Sequence, residues 1–448
     1  MLVRMLPLIL LILTTGILTA EENFPQFRGE GGRGVVESAV VPADWSLGDY
    51  QDWEIEIPGS GWSQPIIWNQ LVFVTAAVAA KDIRPKSFGD SVRLPQSMGL
   101  GGSKAPDFEI DWMLYCVDAK TGKKRWQSRM GRSKPAFSVH PSNTYATETP
   151  AVDKNGVYVY FGGLGRITSF SFDGKRQWSK EVGAFKTGNS FGTGSSLAFD
   201  GGRIFLQCDN QEKSFLLAIN AEDGKDIWRV ERSGRTCWSS PFVWRNHVRN
   251  ELVVCGSGDV TGYGLDSGEL LWRLTGIDGS FSASPASDDN RVYVGNSGPG
   301  RSGPLVALNA GATGQFEVSS PKSETGIAWV QQNSGPGLAS PVSDGELVYV
   351  TGRGILNVYE AASGERVYRT RLKGSSSVAA SPWIAGKTLY VLDESGHTNK
   401  IQTGAEFELM GTNIVDGLFW STPSVAANSL LLRSSDSLYC VREESSGN

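Results

Sequence analysis

Histidine and cysteine are scarce in this 448-residue chain: three histidines (His140, His247, His397) and five cysteines (Cys116, Cys208, Cys237, Cys255, Cys440). None form a CxxC or a Cys/His cluster at ligand spacing, which argues against a zinc site. Net charge is only −5 with basic residues scattered, so the basic stripe that a nucleic-acid partner requires is missing. The cluster at 369–373 reads as a solvated strand edge. No Ser-His-Asp order, phosphate loop or paired-carboxylate motif stands out. Beyond the first twenty residues there is no apolar run that could span a bilayer, for which about twenty residues are needed.

Residues 1–20 are the exception. Arg4 precedes an apolar run over 6–18, and Thr19-Ala20 stands before Glu21-Glu22. The pattern predicts a secretory signal peptide, with Ala20 suited to cleavage; an uncleaved N-terminal anchor is the alternative. There is no cysteine near the cleavage point, so a lipid-anchored form is not expected. Export places the chain in the periplasm or outside the cell, where its thiols meet oxidising conditions. Cys237 and Cys255 are read onto adjacent strands, a few residues out of register, and their pairing is left open. Cys116 and Cys440 sit in matching Leu-Tyr-Cys-Val strands and read as small buried hydrophobes.

What the chain has in plenty is repetition. Eight times a Ser/Thr-x-Pro-like start, at Pro65, Pro150, Leu197, Pro241, Pro285, Pro341, Pro382 and Pro423, leads into a short apolar strand. A turn such as Asp118-Ala119-Lys120-Thr121-Gly122 or Asp266-Ser267-Gly268 follows later in most units. Asp or Asn accepts a local hydrogen bond there and Gly accepts positive φ. The strand after it carries a ring: Trp126, Trp178, Trp228, Trp272 or Tyr368, placed to wedge between neighbouring units. A period of roughly forty residues with four short strands predicts an all-β, eight-bladed β-propeller of four-stranded antiparallel blades. The last unit has three strands, and the segment 52–57 with Trp53 is expected to complete it, closing the ring and removing its edges. The chain then divides into a signal peptide over 1–20, a lead-in over 21–51 and the propeller over 52–448.

Two insertions, 76–110 and 296–303, are read into second-to-third-strand loops. Those loops share an upper face with the connectors before the inner strands, and long loops on a rigid scaffold commonly carry recognition. The first insertion holds Lys81, Arg84, Lys86, Arg93 and a glycine run over 99–102; it is either a partner-binding lid or a plain surface excursion. Trp62, Trp238 and Trp420 take equivalent rim places, where rings can stack on a ligand or simply pack blade to blade. Arg235 suits a carboxylate or a neighbouring-loop ion pair. His140, in Val139-His140-Pro141-Ser142-Asn143, is a base or ligand candidate or a hydrogen-bonding loop residue. Glu148 and Asp416, before inner strands, are equally ambiguous carboxylates.

The repeat, with Asp344-Gly345-Glu346-Leu347-Val348-Tyr349-Val350 and Asn290-Arg291-Val292-Tyr293-Val294 as good copies, resembles that of the PQQ-like β-propellers over about residues 45–442. Phe24-Pro25-Gln26-Phe27-Arg28-Gly29 is similar to the lead-in of exported members. The resemblance implies one of two functions. One is a quinoprotein dehydrogenase of alcohols or sugars that holds pyrroloquinoline quinone and calcium. The other is a non-enzymatic scaffold of the BamB type, whose loops bind protein partners. Many quinoprotein alcohol dehydrogenases carry vicinal cysteines, and this chain has none. Calcium takes six to eight oxygens, for which Glu148, Asn143, Asn189, Asn333 and Asp416 are the candidates. Binding of a protein or envelope polymer without a cofactor is therefore the favoured expectation, ahead of the quinoprotein and of a carbohydrate-binding module using the same aromatics.

Overall fold

Each Pro-equivalent residue hands the chain directly to an inner strand. These strands are Ile66–Trp68, Ala151–Asp153, Ala198–Asp200, Phe242–Arg245, Ala286–Ser287, Val342–Ser343, Trp383–Ala385 and Ser424–Ala426, which open blades 1 to 8. The computed structural model describes residues 23–39, 41–46, 51–91, 104–298, 300–375, 377–426 and 428–442. The signal-peptide reading, Arg93 and the glycines 99–102 lie outside them. Eight antiparallel sheets form an all-β propeller. Second strands such as Gly156–Phe161 are buried throughout, whereas outer strands such as Arg176–Glu181 alternate half-buried and exposed residues. That is the pattern of sheets stacked face to face around an axis and wetted at the rim.

The ring closes as expected. Gln51–Glu56 pairs antiparallel with Ser437–Arg442, placing Trp53 opposite Cys440 and Ile55 opposite Leu438. Cys116 and Cys440 take the same register, opposite Trp126 and Trp53. All five cysteines are buried free thiols. Cys237 lies in the connector before Phe242–Arg245 and not on a strand, and its thiol donates to the Cys255 carbonyl (3.0 Å).

The wedging rings follow one rule with three exceptions. Indole Nε1 donates to a carbonyl in the next blade's turn from Trp53 (Ala119, 3.0 Å), Trp126 (Phe172, 2.7 Å), Trp178 (Ala221, 2.9 Å), Trp228 (Leu265, 2.9 Å) and Trp329 (Ala361, 2.9 Å). The turn glycine lies flat beneath the ring: Gly224 has φ +73°, and a Cβ there would meet Trp178 at 2.7 Å. Trp272 departs from the expectation, because its Nε1 stays within blade 4 on the Glu251 carboxylate (2.6 Å). Tyr368 packs on Phe407 of blade 7 (6.0 Å), its hydroxyl unpartnered. In blade 7 the equivalent position, opposite Lys400, is Gly411. Trp45 from the lead-in fills the gap, packed on Tyr390 (6.0 Å) and under the Lys400 ammonium (5.7 Å).

Insertion placement needs correcting too. The long excursion in blade 1 begins only after Ala79, since the paired strands Leu71–Ala79 and Ile110–Asp118 each extend to nine residues. In blade 5 the extra length is split. Residues 296–298 and 300–304 lie in the upper loop, but a longer detour separates Leu305–Asn309 from Ile327–Gln331 and adds Gly314–Glu317 as a parallel fifth strand on blade 4's outer strand, Leu270–Ser280.

The axis is filled by the lead-in. The inner strands present unpaired backbone groups to the channel, and buried groups of that kind must find partners. Residues 24–36 supply them blade by blade. Phe24 bridges Ile67 (2.8 and 2.9 Å), the Pro25 carbonyl accepts from Val152 (2.8 Å) and Gly34 from Ile384 (2.9 Å). Gln26 Oε1 accepts from Phe199 (2.6 Å). Arg28, 1% exposed, donates to the carbonyls of Pro285 (2.8 Å), Pro341 (2.6 Å) and Arg33 (3.0 Å). Burial without a carboxylate pushes its pKa down to about 9. Above the plug, the residue before each Pro-equivalent forms a belt. Backbone amides of Gln64, Thr149, Ser196, Ser240, Ser284, Ser340 and Ser381 each donate to the hydroxyl of the next blade, at 2.9–3.1 Å. Gln64 has no hydroxyl; its Nε2 crosses instead to the Pro423 carbonyl (2.6 Å).

Candidate binding face

Connectors before the inner strands and the second-to-third-strand loops do meet on one face. Lys86 of the blade 1 insertion donates its amide to the Pro141 carbonyl (2.8 Å). Two residues on, the Phe88 amide reaches Glu394 Oε1 in the blade 7 loop (2.6 Å). The blade 5 loop joins the same face through the Ser297 amide and the Pro336 carbonyl (2.7 Å).

The three rim tryptophans do not stand alone. Trp62 is 4% exposed and stacks on Trp420 (6.0 Å, 18°), which Phe88 flanks (6.4 Å). Trp420 Nε1 donates to Glu394 Oε1 (2.7 Å) and Trp62 Nε1 to the Ser142 carbonyl (3.0 Å). Beyond Ser142, His140 stacks on Phe191 (4.8 Å, 26°), and Trp238 meets Phe191 edge to face (5.5 Å, 82°). Trp238 Nε1 donates to the Gly192 carbonyl (2.7 Å). The result is an arc of rings, Phe88–Trp420–Trp62–His140–Phe191–Trp238. Phe88 is exposed, and Trp420, Phe191 and Trp238 are half-buried. Sequence reading missed Phe88, Phe191 and Glu394. Phe191 follows Asn189 and Ser190, two successive non-glycine residues at positive φ (53° and 55°), a backbone state that no sequence motif announces.

The polar candidates are held by their own loops. His140 Nδ1 pairs with Ser142 Oγ (2.8 Å), and burial pushes its pKa down. Asn143 Nδ2 donates to the Phe191 carbonyl (2.7 Å), while its Oδ1 accepts from Thr147 Oγ1 (2.6 Å) and the Thr144 amide (2.8 Å). Glu148, 1% exposed, accepts from the Gly162 amide (3.0 Å). Its Oε2 meets no partner in hydrogen-bonding geometry, although the Thr193 hydroxyl lies near enough to favour the ionised form. Burial dominates and raises its pKa. Gly162 also lines a narrow cleft between blades 2 and 3 with Tyr160, Thr193, Ser195, Gln207 and Asp209. Ser195 Oγ and Gln207 Oε1 are likewise unpartnered there, as befits atoms that bind ordered water. Asp416 and Arg235 are exposed, as are Asn189 and Asn333.

Among the described residues, no three His, Cys, Asp or Glu side chains converge as a metal site. Of the calcium candidates, Asn143 is committed to Phe191, Thr144 and Thr147, and Glu148 is buried with one oxygen lacking a hydrogen-bond partner. Asp416 projects from the connector before blade 8, two blades away round the closed ring. Together they offer few of the six to eight oxygens that calcium takes, so the geometry does not fit a quinone–calcium centre built on them.

A PQQ-type family model, described as outer membrane protein assembly factor BamB, matches residues 111–276 and 317–445. Two curated relatives are each 22% identical: outer membrane protein assembly factor BamB of Moranella endobia over 260 residues, and tetrathionate hydrolase of Acidithiobacillus ferrooxidans over 363. The matches cover 54% and 63% of this chain and span 61% and 67% of the relatives' own lengths. Among solved structures, BamB from Moraxella catarrhalis superposes with a TM-score of 0.57 at 11% identity, covering 88% of this chain and 99% of that one. Quinohemoprotein alcohol dehydrogenase from Comamonas testosteroni reaches 0.61 at 10% identity, covering 94% and 80%. At such identities the likeness is one of fold.

Proposed function

The chain belongs to the PQQ-like β-propeller family whose model carries the BamB description, and on that premise we propose that it is an exported, non-catalytic scaffold. It binds a protein or envelope polymer through the aromatic arc of its upper face and works without a cofactor. One observation carries this reading. The indole donors of Trp420 and Trp238 and the amide of Asn143 are taken up in holding the connectors together, while ring surface at Phe88, Trp420, Phe191 and Trp238 stays accessible to solvent. Rigid aromatic anchors with little rotamer freedom to lose are what hot spots of protein interfaces are made of. Support for export comes from the 1–20 segment and from the BamB relatives. Among the described residues no helix is long and apolar enough to cross a membrane.

The test is a titration of the purified chain with pyrroloquinoline quinone, with and without calcium, read by tryptophan fluorescence and melting temperature. Site-specific photocrosslinking in the source cells' envelope accompanies it, with the crosslinker at Phe88 or at the lower-face residue Lys120. The scaffold reading expects no saturable quinone binding and adducts from position 88 alone. Calcium-dependent quinone binding with turnover of alcohols or sugars would replace it with the oxidoreductase.

A further inference from the structure

A sheet edge exposed to water is a template for another strand, and proteins usually blunt it with charge or cover it. Six of the eight blades here follow that practice by charge or cover. Outer strands Lys124–Ser133, Arg176–Glu181, Asp226–Arg232, Arg366–Arg371 and Gln51–Glu56 all carry charged side chains, and Leu270–Ser280 is covered by Gly314–Glu317. Ile327–Gln331 of blade 5 has no charge, but none of its residues is exposed. Blade 7 breaks the pattern. Its outer strand Leu409–Ile414 (Leu-Met-Gly-Thr-Asn-Ile) has no charged residue and ends its sheet. Leu409 is 39% exposed, Met410 54% and Ile414 38%, with Phe407 at 38% just before them. The ring that would anchor this strand to the next blade is also missing, at Gly411, and its packing role has passed to Trp45. Near the strand's end the Ile414 amide faces outward to Ser46 Oγ (3.3 Å).

We infer that the outer edge of blade 7 is a strand-docking surface for an extended segment of another protein, apolar on alternate residues and flanked by lysine or arginine. Blade 4 shows what such an edge accepts: four residues laid parallel on the outer strand, Trp272 opposite Gly314 through Thr275 opposite Glu317. Blade 7 already accepts one added parallel strand on its inner edge, Val35–Val36 on Trp383–Ala385. Charge selects the occupant. Glu406 and Glu408 precede the strand and Asp416 follows it, all exposed. A second copy pairing antiparallel about the middle of 409–414 would bring these acids towards one another from opposite ends, whereas a strand with basic flanks meets complementary charge. This surface lies on the rim and is independent of the upper-face arc.

The experiment uses the full chain and a fluorescein-labelled peptide of alternating Val and Thr with two lysines at each end. A companion peptide has glutamates for the lysines. Anisotropy is measured with wild type and with Met410→Lys and Thr412→Lys, both at exposed positions; melting temperature is checked for the second, whose hydroxyl donates to the buried Asn399 Oδ1 (3.2 Å), and amide exchange is followed in parallel. The expectation is saturable binding of the lysine peptide with slowed exchange at Met410 and Thr412, ahead of the Ile414 amide that Ser46 Oγ already holds. Affinity should fall at least about tenfold in either variant and with the glutamate peptide, about 1.4 kcal/mol. Equal binding by wild type and both variants, or none at about 1 mM, would overturn the inference. So would a concentration-dependent dimer that Thr412→Lys dissolves, because the occupant would then be a second copy.

Discussion

The backbone amide of Arg28 donates to Gln64 Oε1 (2.7 Å), joining the axial plug to the one link of the inter-blade belt that has no hydroxyl. Gln64 also spans to the Pro423 carbonyl, so a single side chain ties together the lead-in, blade 1 and blade 8 at the ring's seam. The two chain ends meet at this junction, and it is buttressed from the inside.

Gln64→Ala should therefore destabilise the protein more than loss of one belt hydroxyl such as Ser284→Ala. The first leaves the Arg28 amide and the Pro423 carbonyl unsatisfied, worth about 2–4 kcal/mol; the second frees one amide, worth about 1–2 kcal/mol. Urea midpoints compare them, and equal midpoints would dissolve the special role of the seam.

Arg28→Met keeps the length of the side chain and removes the donors to Pro285, Pro341 and Arg33. Relief of a buried charge offsets part of the loss, and a net destabilisation of about 2–3 kcal/mol is expected. Limited proteolysis should then cut first within 24–36. Unchanged resistance there would show that the plug is held by its other contacts.

Glu148 gives a pH signature. Its folded pKa is raised by burial above the ordinary 4.5, so between the two values the folded state keeps a proton that the unfolded state has lost. Stability contributed by this site is full below the unfolded pKa, falls as pH rises through the folded one, and is flat above it. Glu148→Gln should remove that fall and be relatively more stable at pH 8 than at pH 4. A parallel pair of stability–pH curves would contradict the assignment.

The tryptophans divide into two classes with different pH behaviour. Trp228→Phe loses one bond to the Leu265 carbonyl, about 1 kcal/mol at any pH. Trp272→Phe strips a donor from Glu251, a carboxyl whose pKa burial already raises. Its penalty should therefore grow as pH rises and the ion forms with one donor fewer, leaving only Asn246 (3.1 Å) and Arg249 (3.5 Å) on the other oxygen. Denaturation of both variants at pH 5 and pH 8 separates them.

Phe88→Ala removes a partly exposed ring without opening the core. Melting should shift little, and binding of whatever partner crosslinks at the upper face should weaken by about tenfold or more, the loss typical of an aromatic hot spot. Unaltered affinity would move the contact elsewhere on that face.

What the sequence determined by itself is local and repeated. Eight starts from Pro65 to Pro423, turns such as Asn220-Ala221-Glu222-Asp223-Gly224, and a lone fourth strand around Trp53 specify the blades and their closure, because pleat alternation and turn chemistry are written over a few adjacent residues. Trp329 escaped notice because fifteen or so residues of detour part it from its turn at Asn309-Ala310-Gly311, and a local signature does not survive such a gap. The rim was legible as positions, Trp62, Trp238 and Trp420, but not as an arc. The tertiary structure alone decided that Phe88 and Phe191 complete the arc, that Arg28 and Gln26 fill the axis, and that Trp45 stands in for the ring absent at Gly411. Those relationships join residues dozens to hundreds of positions apart, and they exist only once the ring has closed and unpaired backbone at its centre must find partners.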